Sequence, residues 1–156
     1  MTDREKIVFV ARACIGTKEH TPEHKTILDI YNEYKGVKNI YKMKDNDPWC
    51  AAFVSAVFIA AGLDKAIPID CSCFYMQNRA IANGLMRNKA VYVPRAGDVI
   101  FYKWQDKKVV SHVGIVESVE GSRLSVIEGN FKDRVDRREI RLSYPYIDSY
   151  MTPKDI

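Results

Sequence analysis

The stretch "DNDPWCAAFVSAVFIAAG", Asp45 to Gly62, is a nearly unbroken apolar run with one cysteine close to its start. Asp47 before Pro48 is a helix start signal, an N-cap followed by proline at the first helical position. Trp49 to Ala61 follows without a charge until Gly62 ends the run. A helix that is apolar on every side belongs in the interior, so the rest of the chain has to be arranged around it. With Asp47 as the cap, Cys50 occupies the third helical position, in the first turn. Unpaired backbone N–H groups and the helix dipole favour an anion there. Such surroundings stabilise a thiolate and lower its pKa below the usual ~8.5. The plainer alternative makes Cys50 one more small apolar core residue.

On the N-terminal side, Thr2 and Glu5 form a capping box before Ile7, Val10, Ala11 and Cys14, which recur at helical spacing until Gly16. Thr21 and Pro22 open a second helix whose stripe Ile27, Ile30, Tyr31 and Tyr34 stops at Gly36. A fourth helix runs from about Ser72 to Asn83 and is closed by Gly84. Beyond it the texture changes to short β-rich runs: "VYV", "DVIFYKW", "SHVGIVESV", "RLSVIEG" and "REIRLSY", with "QDKK" and "EGSR" as hairpin tips. Helices first and an antiparallel sheet second is an α+β layout, with the central helix lying against the sheet.

Composition bounds the function. A chain of 156 residues that is 47% hydrophobic fits a single domain over residues 1–156. The excess of 24 Lys+Arg over 20 Asp+Glu, a net +4, is spread without a long basic block. That favours an anionic partner only weakly, whether nucleic acid or an acidic polymer such as a bacterial cell wall. "MTDREK" is not a signal peptide, and the run Ala51–Leu63 is too short to span a bilayer. The four cysteines make no evident disulfide framework, and Cys14, Cys71 and Cys73 read as structural or incidental.

A nucleophilic thiol needs a base, and the chain has three histidines. His20 and His24 are separated by Pro22, match no strong zinc pattern and read as surface residues. His112 opens "SHVGIV", a run with the apolar density of a central strand, which is a rigid platform for a general base. Antiparallel pairing through a turn near Glu120 and Gly121 brings Glu128, in "SVIEGN", back beside His112. A carboxylate in that place fixes the imidazole tautomer and steadies the imidazolium.

"DPWCAAFVSAVF", "PRAGDVIFY", "SHVGIV" and "IEGN" occur in the order and approximate spacing of the CHAP family, the cysteine, histidine-dependent amidohydrolases/peptidases, and the resemblance spans about Ile15 to Tyr150. These papain-like enzymes occur mainly in bacteriophage lysins and bacterial cell-wall hydrolases. Members have a cysteine at the N-terminus of a buried helix packed on an antiparallel sheet that bears the histidine. The resemblance implies Cys50 as nucleophile, His112 as general base, Glu128 as its orienting partner and Asn130 as a further polar member of the site. It implies cleavage of a peptidoglycan amide, either muramoyl-L-alanine or a stem or cross-bridge peptide bond. Trp49, Tyr102 and Trp104 are candidates to wall a groove for a sugar-peptide strand. Some members bind calcium before the nucleophile, but Asp45 and Asp47 are two carboxylates where calcium wants six to eight oxygens, so neither metal nor cofactor is expected. The expected partner is peptidoglycan, with no nucleic acid and no membrane insertion, and the expected state is a monomer. Without a signal peptide the chain would wait in the cytoplasm for release, as a phage lysin does, or be exported as part of a longer protein. Two other readings keep the residues: a papain-like thiol amidase or peptidase with another substrate, such as an antibacterial effector, and a non-catalytic wall-binding module. The latter is disfavoured because Cys50, His112, Glu128 and Asn130 are all present.

Overall fold

The computed structural model of the chain describes residues 1–36 and 41–156. Four helices come first: α1 (Asp3–Ala13), α2 (Pro22–Asn32), α3 (Cys50–Ala60) and α4 (Cys73–Ala82). Six strands follow: β1 (Met86–Asn88), β2 (Val99–Tyr102), β3 (His112–Glu120), β4 (Arg123–Phe131), β5 (Arg134–Arg141) and β6 (Ile147–Met151). They form one antiparallel sheet in the order β1-β6-β2-β3-β4-β5, which makes the chain α+β as expected. Among the described residues no helix is long and apolar enough to cross a membrane.

Local chemistry sets three of the helix starts. Thr2 and Glu5 close a reciprocal capping box on α1, Glu5 N–H to Thr2 Oγ1 at 3.1 Å and Thr2 N–H to Glu5 Oε2 at 2.7 Å. Thr21 and Ser72 accept from the backbone N–H of His24 and Tyr75, both at 3.3 Å. The fourth start differs from the sequence reading. Asp47 does not cap α3; it closes a local turn, accepting from Lys44 N–H at 2.8 Å and donating its own N–H to Lys44 O at 3.0 Å. Its side chain is therefore spent before the helix begins. Trp49 takes the N-cap position with no side-chain cap, and Cys50 becomes the first helical residue instead of the third.

The helix-facing core gathers Trp49, Phe53 and Phe58 of the α3 segment with Ile7, Tyr31, Met76 and the sheet residues Val99, Phe101, Val113, Ile115 and Ile127. The other face carries a smaller apolar layer of Ile100, Tyr102, Val116, Leu124, Val126, Ile147 and Tyr150. A sheet buried on both faces explains why β2 has no polar alternation. Asp98 is wholly buried and held by Arg4 of α1 at 2.9 Å and by Tyr92 Oη at 2.6 Å, which ties α1 to the head of β2.

Two strand readings need correction. "VYV" is not a strand: Asn88 Oδ1 accepts from Ala90 N–H at 2.9 Å, an Asx turn that folds Val91 and Val93 out to solvent. The edge strand is the preceding Met86–Asn88. β6 was not foreseen, because "IDSYM" lacks clean alternation; it gains its place by pairing with both β1 and β2.

Candidate active site

The uncapped start of α3 is one half of the site. Phe53 N–H is the first to bond back along the helix, to Trp49 O at 2.9 Å, so the N–H groups of Cys50, Ala51 and Ala52 have no intrahelical acceptor. The helix is pressed onto β4 at this end. A Cβ at Gly129 would collide with the Cβ and ring of Phe53, so the glycine in "IEGN" permits the approach that brings the first turn of α3 to the strand carrying Glu128.

The sheet supplies the other half. The β3–β4 hairpin turns at Gly121, at φ +61°, pairs Glu120 with Arg123, and shifts register between Val116 and Ser118. Gly114 then faces Glu128; a Cβ there would lie 2.7 Å from Glu128 Cγ. The bare glycine leaves the Glu128 side chain free to reach His112, the first residue of β3. Glu128 Oε1 lies 2.7 Å from His112 Nε2, so the expected pairing of these two side chains is present in the fold.

Glu128 is wholly buried, and its charge is answered on every side. Tyr102 Oη donates to Oε2 at 2.7 Å, and Arg138 Nε spans both oxygens at 3.0 Å. The Arg138 guanidinium in turn lies over the rings of Phe131, Trp104 and Tyr102, at 4.1, 5.4 and 5.5 Å from their centroids.

The electrostatics of the thiol and the imidazole are linked. Cys50 is held well below the ordinary thiol range, first by a hydrogen bond from the Cys73 thiol and then by His112, against burial, which opposes ionisation. The two sulfurs are 3.4 Å apart. Cys73 is pushed well above the ordinary range by that same bond, by burial and by the charge on Cys50. Burial alone would lower His112, but the nearby Cys50 thiolate and the hydrogen-bonded Glu128 carboxylate outweigh it and push the imidazole up to about 9. The site therefore favours a thiolate–imidazolium pair.

The remaining candidates are placed less uniformly. Asn130 sits where the β4–β5 register shifts, in the left-handed region at φ +55°. Among the described residues its side chain makes no hydrogen bond to His112 or Glu128. Trp49 and Tyr102 are both 0% exposed and so present no face to a groove. Trp49 is a core residue whose Nε1 donates to Glu19 at 3.0 Å, and Tyr102 acts on Glu128 from inside. Trp104 is half-buried, stacks 5.8 Å from His112 and continues into Tyr146 and Tyr144, which makes an aromatic wall beside the imidazole. His24 is not a surface residue: it packs 4.5 Å from Trp49, and its Nδ1 accepts from His20 N–H. Among the described residues no cluster of three or more His, Cys, Asp or Glu could hold a metal ion.

Sequence reasoning missed Cys73 and Arg138. Ser72 as an N-cap already made Cys73 the first residue of its helix, the position Cys50 also takes, but nothing local says that two helix starts meet. Arg138 stands opposite Val126 on β5, a pairing that requires the register of the folded sheet.

A family model described as the CHAP domain matches residues 42–130, a span that includes Cys50, His112, Glu128 and Asn130. The fold is similar to the crystal structure of Ly7917, with a TM-score of 0.58 and 18% identity over 97% of this chain and 62% of that one. It is also similar to the crystal structure of Ly7917 with the hydrolyzing product of MDP, with a TM-score of 0.56 and 18% identity over 96% of this chain and 62% of that one. The chain thus spans less than two thirds of the length of these structures, and at such identity the likeness is one of fold. No curated protein matches the sequence.

Proposed function

We propose, from the premise that this chain belongs to the CHAP domain family, that it hydrolyses an amide bond of bacterial cell-wall peptidoglycan through a cysteine acyl-enzyme. The observation that carries this reading is the buried His112–Glu128 pair, 2.7 Å apart, linked electrostatically to a thiol at an uncapped helix start. The fold's likeness to Ly7917, whose structure with the hydrolyzing product of MDP is one of its neighbours, supports a hydrolytic reaction. The net charge of +4 suits an anionic wall polymer.

In this mechanism the Cys50 thiolate attacks the amide carbonyl, and the imidazolium of His112 gives its proton to the departing amine. Water deprotonated by the now neutral His112 then attacks the thioester and releases Cys50. In this mechanism the backbone N–H of Cys50, which has no acceptor within the helix, donates to the developing oxyanion, while that of Ala51 steadies the thiolate. Glu128 keeps Nε2 protonated and holds the ring in one orientation; Tyr102 and Arg138 hold Glu128. Trp104, Tyr144 and Tyr146 offer ring faces to a glycan or stem peptide.

The test is to incubate purified peptidoglycan from several Gram-positive bacteria with the protein and with Cys50→Ala, then to identify new termini by mass spectrometry. Soluble fragments released by the wild type alone are expected, with a loss of at least ~10³-fold in the variant. Free muramic lactyl groups would identify an amidase, new peptide termini an endopeptidase. No release from any wall, or equal release by both proteins, would overturn the reading.

A further inference from the structure

Cys73 has no part in the acyl-transfer scheme as a nucleophile, yet it lies closer to the Cys50 sulfur than ordinary packing requires. Each cysteine opens its own helix, α3 or α4, and the two sulfurs meet at 3.4 Å. A disulfide of ~2.05 Å would bring the two sulfurs, now 3.4 Å apart, about 1.4 Å closer. Both residues are free, buried thiols, 7% and 9% exposed, so the pair favours a small oxidant such as hydrogen peroxide over bulkier ones. Cys14 and Cys71, the other two, are half-buried among apolar and tyrosine neighbours, and burial raises both thiols.

We infer that Cys50 and Cys73 form a reversible redox pair, in which a hydroperoxide oxidises Cys50 and Cys73 resolves it to an intramolecular disulfide. In the first step the Cys50 thiolate attacks one peroxide oxygen. An S–O bond forms, the O–O bond breaks, sulfur loses two electrons to the peroxide, and hydroxide or alkoxide departs. In the second, the Cys73 sulfur attacks the Cys50 sulfur; the S–S bond forms, the S–O bond breaks, and the leaving hydroxide takes the Cys73 proton as water. The steps follow in that order because of charge. While Cys50 is a thiolate, its charge keeps the proton on Cys73; once Cys50 carries a neutral sulfenic acid, that restraint is gone. The disulfide removes the nucleophile and protects it from sulfinic oxidation, and an external dithiol restores both thiols. That the disulfide silences hydrolysis rests on the function proposed above; its formation does not.

The experiment treats the reduced protein with graded hydrogen peroxide, blocks remaining thiols with iodoacetamide and maps tryptic peptides without reduction. The stretch Asp45–Lys65 carries Cys50, and Ala66–Arg79 carries both Cys71 and Cys73, so fragment ions must place the link on Cys73. The expected result is a Cys50–Cys73 link 2 Da below the sum of the two peptides, formed in parallel with loss of wall release, both reversed by dithiothreitol. In Cys73→Ser, dimedone should trap Cys50 sulfenic acid, and the fraction of activity that dithiothreitol recovers after excess peroxide should fall severalfold. A wild type in which Cys50 accumulates as sulfenic or sulfinic acid while Cys73 stays alkylated by iodoacetamide would overturn the inference, whether or not the serine variant folds. A link that forms in a protein releasing nothing from walls would leave the redox pair standing and remove the hydrolase; wall release without the link would do the reverse.

Discussion

Two glutamates sit buried in the same sheet, one on each face, and each is paired with an arginine from β5. Glu128 takes Arg138, and Glu117 takes Arg137, the neighbouring residue and so the opposite face of the strand. Glu117 Oε2 accepts from Arg137 Nε and from Ser125, both at 2.7 Å, while Oε1 accepts from Arg137 at 2.9 Å and from Arg12 of α1 at 2.6 Å. Its partners are two permanent cations and a hydroxyl, so the cluster is an electrostatic clamp between helix and sheet. Glu128 has the same residue type, burial and kind of arginine, but one of its partners is an imidazole that can give up its proton and is linked onward to a thiol. What distinguishes a clamp from a candidate catalytic relay here is a single titratable neighbour.

The sharpest way to test that contrast is the same substitution at both sites. Glu128→Gln is expected to lower kcat on peptidoglycan by ~10²–10⁴-fold, because the amide can present its N–H₂ to Nε2 and stabilise the wrong tautomer. The alkaline limb of the rate should move too. In the proposed mechanism the His112 imidazolium protonates the leaving amine, so the alkaline limb of activity is expected to fall as pH rises through about 9. Without the carboxylate that limb should shift to lower pH. An unchanged limb would show that Glu128 is only a clamp. Next in size, Arg138→Lys keeps a cation but loses the planar group that lies on three aromatic rings; about a tenfold fall in kcat is expected, with KM little changed. Glu117→Gln should do the opposite of Glu128→Gln, costing about 2 kcal/mol in urea unfolding while wall release stays within about twofold. The smallest effect is the acid dependence of that deficit. Burial would raise Glu117, but its hydrogen bonds to Arg137, Arg12 and Ser125 prevail and bring it down to about 2. The folded carboxyl is thus more acidic than the unfolded one, so its contribution is present above the ordinary carboxylate value of ~4.5 and is lost as pH falls towards 2. The stability gap between wild type and Glu117→Gln should narrow across that window; a gap constant with pH would mean that Glu117 is not the titrating clamp.

The two clusters also differ in how much of each could be read before folding. Glu128 was found because "SHVGIV" and "SVIEGN" flank a recognisable hairpin tip, so that antiparallel pairing alone brings the two motifs together. Glu117 lies in that same hairpin but at a bulge, where one residue is left out of the pairing and alternation no longer tells which face a side chain takes. The capping motifs of α1 and α2 were legible because each is closed within three residues. Asp47, another good cap-former before a proline, misled, since its carboxylate reached back to Lys44 instead of forward into α3. Trp49 and Tyr102 looked like groove aromatics for a related reason: residue type marks an aromatic, and only packing decides whether a ring faces solvent.

The sequence by itself determined the α+β order, the buried helix with a cysteine near its start, and the strand pair that unites His112 with Glu128, because each follows from periodicity, caps or one short turn. The tertiary structure alone decided that Cys50 is the first residue of an uncapped helix, that Cys73 meets it from the start of α4, and that Arg138 and Tyr102 close around Glu128. The contacts of Cys73, Arg138 and Tyr102 join segments some ten to thirty-six residues apart, and such distances are bridged by strand pairing and by the packing of helices on a sheet, for which no local propensity leaves a mark in the chain.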